Sequence, residues 1–202
     1  MRAAVFLLCL VPFAHLTLDW LAELGVADWW RSSLGADQIA ATELRTGLWT
    51  LRLLAITLAI TPARQLLGLG ALARYRRMLG LFVFFYAVVH VLTWSWADTN
   101  FELGFMTREI VKHRYILVGM ATFVILIPLA LTSSKGWVRR MGGKRWGRLH
   151  RLIYVAAITG TVHYLWAVKK DTFFPLVYLL LFASLLGYRV VRAAKARAVR
   201  LA

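Results

Sequence analysis

Six stretches of apolar side chains, each close to the length that crosses a bilayer, constrain this chain more than any other feature. A spanning helix needs roughly 20 predominantly apolar residues, with a range of about 17–25. The stretches cover 5–22, 47–60, 78–97, 115–131, 152–168 and 172–188. The second is short and holds Arg52, so its helix is expected to extend back through Thr46. Strand-like alternation is absent, which argues against an outer-membrane barrel. Pro12, Pro128 and Pro175 lie inside three of the stretches, and packed neighbours can satisfy the backbone groups that such prolines free. The expected fold is an all-α integral membrane protein, a six-transmembrane-helix bundle over residues 1–189 with a basic tail over 190–202. Composition supports this. Apolar residues make up 60% of the 202 positions and charged ones 17%, against about half and about a quarter in soluble domains. Mean hydropathy is +0.65. A chain this short cannot hide such an excess in a soluble core, so a soluble domain, a secreted enzyme and a disordered tail are excluded.

The charges set an orientation. With the N-terminus cytoplasmic, the inner ends collect Arg2, four arginines between 64 and 77, seven basic residues between 135 and 151, and five between 189 and 200. The outer side holds only Arg31, Arg45, Arg108, Lys112, Arg114, Lys169 and Lys170, and every acidic residue falls there or at that membrane edge. Basic residues flank the cytoplasmic ends of membrane helices, so both termini are expected in the cytoplasm of a bacterial inner-membrane protein. The net charge of +16 then reports topology and attraction to anionic lipid rather than nucleic-acid binding. Residues 1–14 look like a signal peptide, one arginine before an apolar run. No small-residue cleavage site precedes Asp19, and removing the run would upset the charge partition, so it reads as a retained first helix. The single cysteine, Cys9, excludes internal disulfides and cysteine-ligated clusters.

Histidines carry the chemistry. A polar side chain at membrane depth is costly and signals function, and neutral imidazole is a ligand for haem iron. His90 lies thirteen residues beyond Arg77, at the inner edge of the third segment, and His163 thirteen beyond His150, at the inner edge of the fifth. At about 1.5 Å per residue, both sit roughly 20 Å outward from that edge. Two parallel helices thus place two imidazoles in one layer, the arrangement of a bis-histidine b-type haem. His150, about 20 Å further inward, is where a second haem would sit. At that depth the third segment offers Arg76 and Arg77 rather than a histidine. A step of thirteen also turns His150 and His163 roughly 140° apart. One haem is therefore expected and a second is left open; the other readings of His150 are contact with a haem propionate, a flavin phosphate or lipid headgroups. Arg45 and Arg52 share a face to within about 20°, and a buried arginine wants an anion such as a propionate; Arg45 can instead snorkel to the interface. His15 reads as an interhelical hydrogen-bond partner or a contact to haem or quinone, and His113 as solvated interface. No nucleotide-binding glycine pattern and no nucleophile–histidine arrangement is evident.

Several strings resemble a known family. They are Arg76-Arg77-Met78-Leu79-Gly80-Leu81 followed by His90, and Gly143-Lys144-Arg145-Trp146-Gly147-Arg148-Leu149-His150 followed by Tyr154, His163-Tyr164-Leu165-Trp166 and Lys169. Thr46-Gly47, Ile60-Thr61-Pro62 and Thr132-Ser133 also fit. They resemble the MsrQ family, haem-binding membrane subunits of bacterial periplasmic methionine-sulfoxide reductase systems, within the ferric reductase-like transmembrane group. The resemblance implies an electron carrier with haem b and FMN that passes electrons to a periplasmic molybdenum-containing reductase. It implies His90, His150 and His163 as functional residues; the wider group has a second histidine on the third helix that this chain lacks. Quinol and a cytosolic flavin reductase are both compatible as electron donor. The competing readings are a quinol-oxidising cytochrome b subunit of another periplasmic oxidoreductase and a small transporter with proton-binding histidines.

Overall fold

The computed structural model describes residues 2–168 and 170–201; Met1, Lys169 and Ala202 lie outside the described residues, as do the side chains of Arg200 and Leu201. All regular structure among them is helical: α1 Arg2–Glu23, α2 Gln38–Leu66, α3 Arg76–Ala97, α4 Leu103–Lys112, α5 Arg114–Leu131, α6 Lys135–Met141, α7 Gly143–Leu149, α8 Leu152–Ala167 and α9 Phe173–Leu201, with a 3-10 turn over Gly70–Tyr75 before α3. Among the described residues five helices are long and apolar enough to cross a membrane: α1, α2, α3 with its preceding turn, α5 and α9. The fifth expected stretch forms α8. It has 16 residues, about 24 Å of helix, short of the roughly 30 Å hydrocarbon core of a typical bilayer. The short α4, α6 and α7 were not expected.

α2 is far longer than its apolar stretch. It starts where the Asp37 carboxylate accepts from the Ala40 N–H, an N-cap that satisfies one of the orphan donors of the first turn. It packs most extensively on α3, and α5 does so on α8. Small residues let α8 approach. Ala156 and Ala157 are fully buried, and a Cβ at Gly160 would already touch Leu51 at 3.5 Å and Thr122 at 3.6 Å. Small residues at such contacts replace a hydrophobic driving force that lipid does not provide. The outward faces carry exposed leucine, valine and isoleucine, among them Leu7, Val124, Ile158 and Leu180.

Prolines within the helices interrupt the hydrogen-bond ladder, and at Pro12 and Pro62 long side chains from other helices bond the opened main-chain groups. At Pro12 of α1 the Tyr86 hydroxyl enters the broken ladder. It donates to the Cys9 carbonyl at 2.7 Å and accepts from the Phe13 N–H at 3.1 Å. At Pro62 of α2 the carbonyl four residues earlier belongs to Leu58, and Arg189 Nη2 of α9 donates to it at 2.6 Å. Pro175 stands in the first turn of α9, where a missing N–H costs nothing.

A second knot joins α1, the following loop and α2. The Asp19 carboxylate is fully buried. It accepts from Trp30 Nε1 at 2.8 Å, Ser33 N at 3.2 Å, Ser33 Oγ at 3.0 Å and Arg45 Nη1 at 2.7 Å, and His15 Nδ1 lies 3.2 Å away. A buried charge is tolerated when it is paired and fully hydrogen-bonded.

Tyr86→Phe removes the hydroxyl that bridges the Pro12 break and strands two buried backbone groups. A stability loss of about 1–3 kcal/mol is expected, read as a lower thermal midpoint in detergent. In a Pro12→Ala background α1 can close its own ladder, and the loss is expected to shrink.

Candidate functional site

The two histidines of the outer layer face one cavity. His90 of α3 and His163 of α8 have ring centroids 6.0 Å apart and planes at 79°. Both line a cavity of about 300 Å³ bounded by α2, α3, α5 and α8. Its walls are mostly apolar, with Leu51, Ala87, Ile116 and Phe123, and Glu43, Thr50, Asp98 and Thr122 are among the polar residues that line it.

Each imidazole is docked on a neighbouring helix in the same way. His90 Nδ1 lies 3.0 Å from the Glu43 carbonyl of α2, and Gly47, four residues on, leaves the ring room: a Cβ there would lie 3.4 Å from His90 Cε1. His163 Nδ1 lies 2.7 Å from the Tyr115 carbonyl of α5, and Gly119, again four residues on, is tighter still: its Cβ would lie 2.6 Å from His163 Nδ1. Residues i and i+4 share a helix face, so carbonyl and glycine form one notch. A carbonyl only accepts, so each Nδ1 carries the proton and each neutral Nε2 keeps its lone pair. Thr46 Oγ1 lies 3.3 Å from His90 Nδ1, and its own hydrogen is directed to the Thr42 and Glu43 carbonyls. Among the described residues neither Nε2 has a hydrogen-bond partner. Two ligating nitrogens with fixed tautomers, backed by carbonyls and set in an apolar cavity, suit a metal-centred planar group. No group of three or more His, Cys, Asp or Glu that could hold a bare metal ion occurs among the described residues.

Comparison with known proteins agrees. Residues 46–161 match the family described as ferric reductase like transmembrane component. The protein-methionine-sulfoxide reductase heme-binding subunit MsrQ of Xanthomonas campestris pv. campestris (strain B100) is 51% identical over 168 residues, which cover 82% of this chain and 75% of that protein. The subunit of the same name from Azospira oryzae is 44% identical over 191 residues, 94% of this chain and 78% of the relative. That from Xanthomonas euvesicatoria pv. vesicatoria is 48% identical over 200 residues, 97% and 88%. The chain belongs to the MsrQ family, within the ferric reductase-like transmembrane group. No solved structure matches it.

The remaining candidates of this MsrQ-family chain lie away from the cavity. Arg45 is engaged by Asp19 and also donates to the Ser33 carbonyl at 2.6 Å. Arg52 is exposed and sits over the Trp49 ring, 4.8 Å from its centroid. His150, in the turn before α8, has Nε2 3.0 Å from Thr132 Oγ1 and stacks on Trp146 at 3.9 Å between centroids. Burial pushes its pKa below the ordinary value, which favours neutral imidazole. Arg76 and Arg77 open α3 at the far end. His113 pairs with Glu109 at 3.2 Å. Asp98, at the outer end of α3, does line the cavity; its carboxyl is pushed up by burial and by the carboxylates of Asp37 and Glu109. Sequence reasoning did not reach Glu43, Tyr115 and Gly119; the signal was the repeated spacing of a cavity glycine four residues after a residue in the outer half of its helix.

Gly119→Ala forces the His163 ring off its carbonyl, whereas Gly47→Ala meets only ordinary contact. In haemin titrations of apoprotein, Gly119→Ala is expected to weaken uptake by about 10–100-fold, the usual cost of losing a ligand's supporting contact. Gly47→Ala is expected to bind nearly as the parent does.

Proposed function

We propose that this protein is the transmembrane electron-transfer subunit of a methionine-sulfoxide reductase system and carries electrons outward through one haem b held between His90 and His163. The observation that carries the reading is the pair of carbonyl-docked imidazoles turned into one apolar cavity. The relatives' names, which specify a haem-binding subunit of protein-methionine-sulfoxide reductase, support it. Bound haem supplies a reversible one-electron change at iron without protein radical chemistry.

The chain's own residues prepare the site. Glu43 and Tyr115 carbonyls fix both imidazoles as Nδ1–H tautomers and raise the basicity of Nε2. Leu51, Ala87, Ile116 and Phe123 keep water from the cavity, and a dry environment tunes potential. His150 is engaged by Thr132 and Trp146, and the start of α3 presents Arg76 and Arg77 at that end; this supports one haem rather than two. Of the two arginines on the outer half of α2, Arg52 is the candidate for an anionic haem substituent, since Arg45 is engaged by Asp19. FMN enters through the family resemblance alone.

The expected setting is the bacterial inner membrane, with both termini cytoplasmic and α8 as a sixth, short crossing. Residues 1–189 form the bundle and 190–202 the basic tail, of which 190–201 continue α9. The partner is a periplasmic molybdenum-containing reductase that meets the acid-bearing outer loops, and quinol or a cytosolic flavin reductase donates the electrons.

Purified protein is expected to show about one haem b per chain by pyridine haemochrome, with sharp reduced-state bands. His90→Ala and His163→Ala are each expected to abolish those bands and electron delivery to the reductase, while His150→Ala retains them. Full reduced-state bands in either single variant would overturn the assignment.

A further inference from the structure

A second cavity lies between α1, α2 and the start of α3. Among the described residues every hydrogen bond between α1 and α2 sits at their outer ends. Trp20 Nε1 donates to Thr42 Oγ1 at 3.0 Å, Gln38 Nε2 to Glu23 Oε2 at 2.7 Å and Arg45 Nη1 to Asp19 Oδ2 at 2.7 Å. Further in, α1 leans on α3 instead, with Phe6 against Phe82 at 5.2 Å and Phe13 against Phe85 at 5.1 Å between ring centres. A groove of about 470 Å³ runs between α1 and α2 there. Val5, Leu8 and Cys9 of α1 form one wall, and α2 forms the other from Trp49 through Ile56 to Ala63. Leu8 and Ile56 are 67% and 48% exposed, so the rim faces the surroundings of the bundle, which the placement proposed above makes lipid.

Length, polarity and charge each restrict what fits. From Trp49 to Ala63 α2 advances about 21 Å, more than half of a hydrocarbon core of about 30 Å, so the groove follows one leaflet and suits an extended alkyl chain. Its lining is apolar apart from the Cys9 thiol, the Trp49 indole and the Tyr75 hydroxyl. Tyr75 ends the turn that leads into α3 at the inner edge. It is 6% exposed, and its hydroxyl has no hydrogen-bond partner among the described residues. A buried hydroxyl without a partner is costly and rare. The Arg74 guanidinium carbon stands 4.9 Å from the centre of the Tyr75 ring. The apolar groove thus ends, at the depth of lipid ester groups, in a hydroxyl donor beside a cation.

We infer that this groove binds one diacyl phospholipid of the inner leaflet. An acyl chain lies between α1 and α2, an ester carbonyl accepts from the Tyr75 hydroxyl, and the phosphate stands beside Arg74. An isoprenoid quinone would fill the apolar part, but its head is neutral and gains nothing from Arg74, whereas a guanidinium matches phosphate. The lipid joins α1 to α2 in the half where the described residues make no hydrogen bond between them. The site is independent of the haem reading, because no residue lines both cavities.

Binding is measured by native mass spectrometry on the delipidated full chain in neutral detergent. Dioleoylphosphatidylglycerol is the probe, with dioleoylglycerol and a long-chain ubiquinone for comparison. Ala59→Phe fills the groove, Tyr75→Phe removes only the hydroxyl, and Val124→Phe adds bulk on the exposed face of α5; circular dichroism reports that each variant is folded. The expected result is about one saturable phospholipid per chain. Ala59→Phe weakens it by about tenfold or more, Tyr75→Phe by about two- to tenfold, the worth of one neutral hydrogen bond, and Val124→Phe leaves it unchanged. Dioleoylglycerol, which lacks the phosphate, binds about tenfold more weakly. Unchanged binding in folded Tyr75→Phe or Ala59→Phe, equal weakening by Val124→Phe, or dioleoylglycerol binding as tight as that of the phospholipid overturns the inference. Ubiquinone that binds more tightly than the phospholipid and is lost in Ala59→Phe gives the groove to a quinone, and a dimer that Ala59→Phe disperses gives it to a second copy; either overturns the inference as well.

Discussion

Two hydrogen bonds from imidazole to main chain organise the functional half of this molecule. The Glu43 and Tyr115 carbonyls each accept from a histidine Nδ1, and each bond dictates which nitrogen remains basic. A histidine at membrane depth without such a partner would lose much of its orientation and its tautomer. Because the carbonyls belong to α2 and α5 while the imidazoles belong to α3 and α8, the same two bonds join the four helices around the cavity. The haem ligation proposed here and the assembly of these four helices therefore rest on one set of contacts.

Elsewhere the bundle is held by repairs to a damaged backbone. Prolines free carbonyls that lipid cannot satisfy, and the donors that fill them come from distant segments: Tyr86 reaches α1, and Arg189 reaches α2. Each repair couples a local defect to a tertiary contact, so the prolines specify which helices meet. Asp19 plays a comparable part at the outer end, where a single buried carboxylate collects Trp30, Ser33 and Arg45.

The membrane class was legible because bilayer thickness imposes a length on apolar runs, and three of the six runs (78–97, 115–131 and 152–168) gave helices within two residues of their expected starts and ends. The shared depth of His90 and His163 was legible because helical rise converts a thirteen-residue count into distance. Their partners were not, since a main-chain carbonyl leaves no mark in side-chain identity; only Gly47 and Gly119 hinted at close approach. Arg45 read as a candidate for an anion, and the structure supplies one in Asp19, 26 residues earlier; loop folding, which no periodicity reports, brings them together. The full extent of α2 was equally hidden, because that helix continues at both ends past its apolar stretch into polar sequence.

The central claim is that one iron sits between the imidazoles of His90 and His163. Electron paramagnetic resonance of the ferric protein, with and without ¹⁵N-labelled histidine, tests it most directly. The account predicts a low-spin signal with two histidine nitrogens on the metal, converted to high spin when either residue becomes alanine. A high-spin parent protein, or a low-spin signal that survives either substitution, would contradict it.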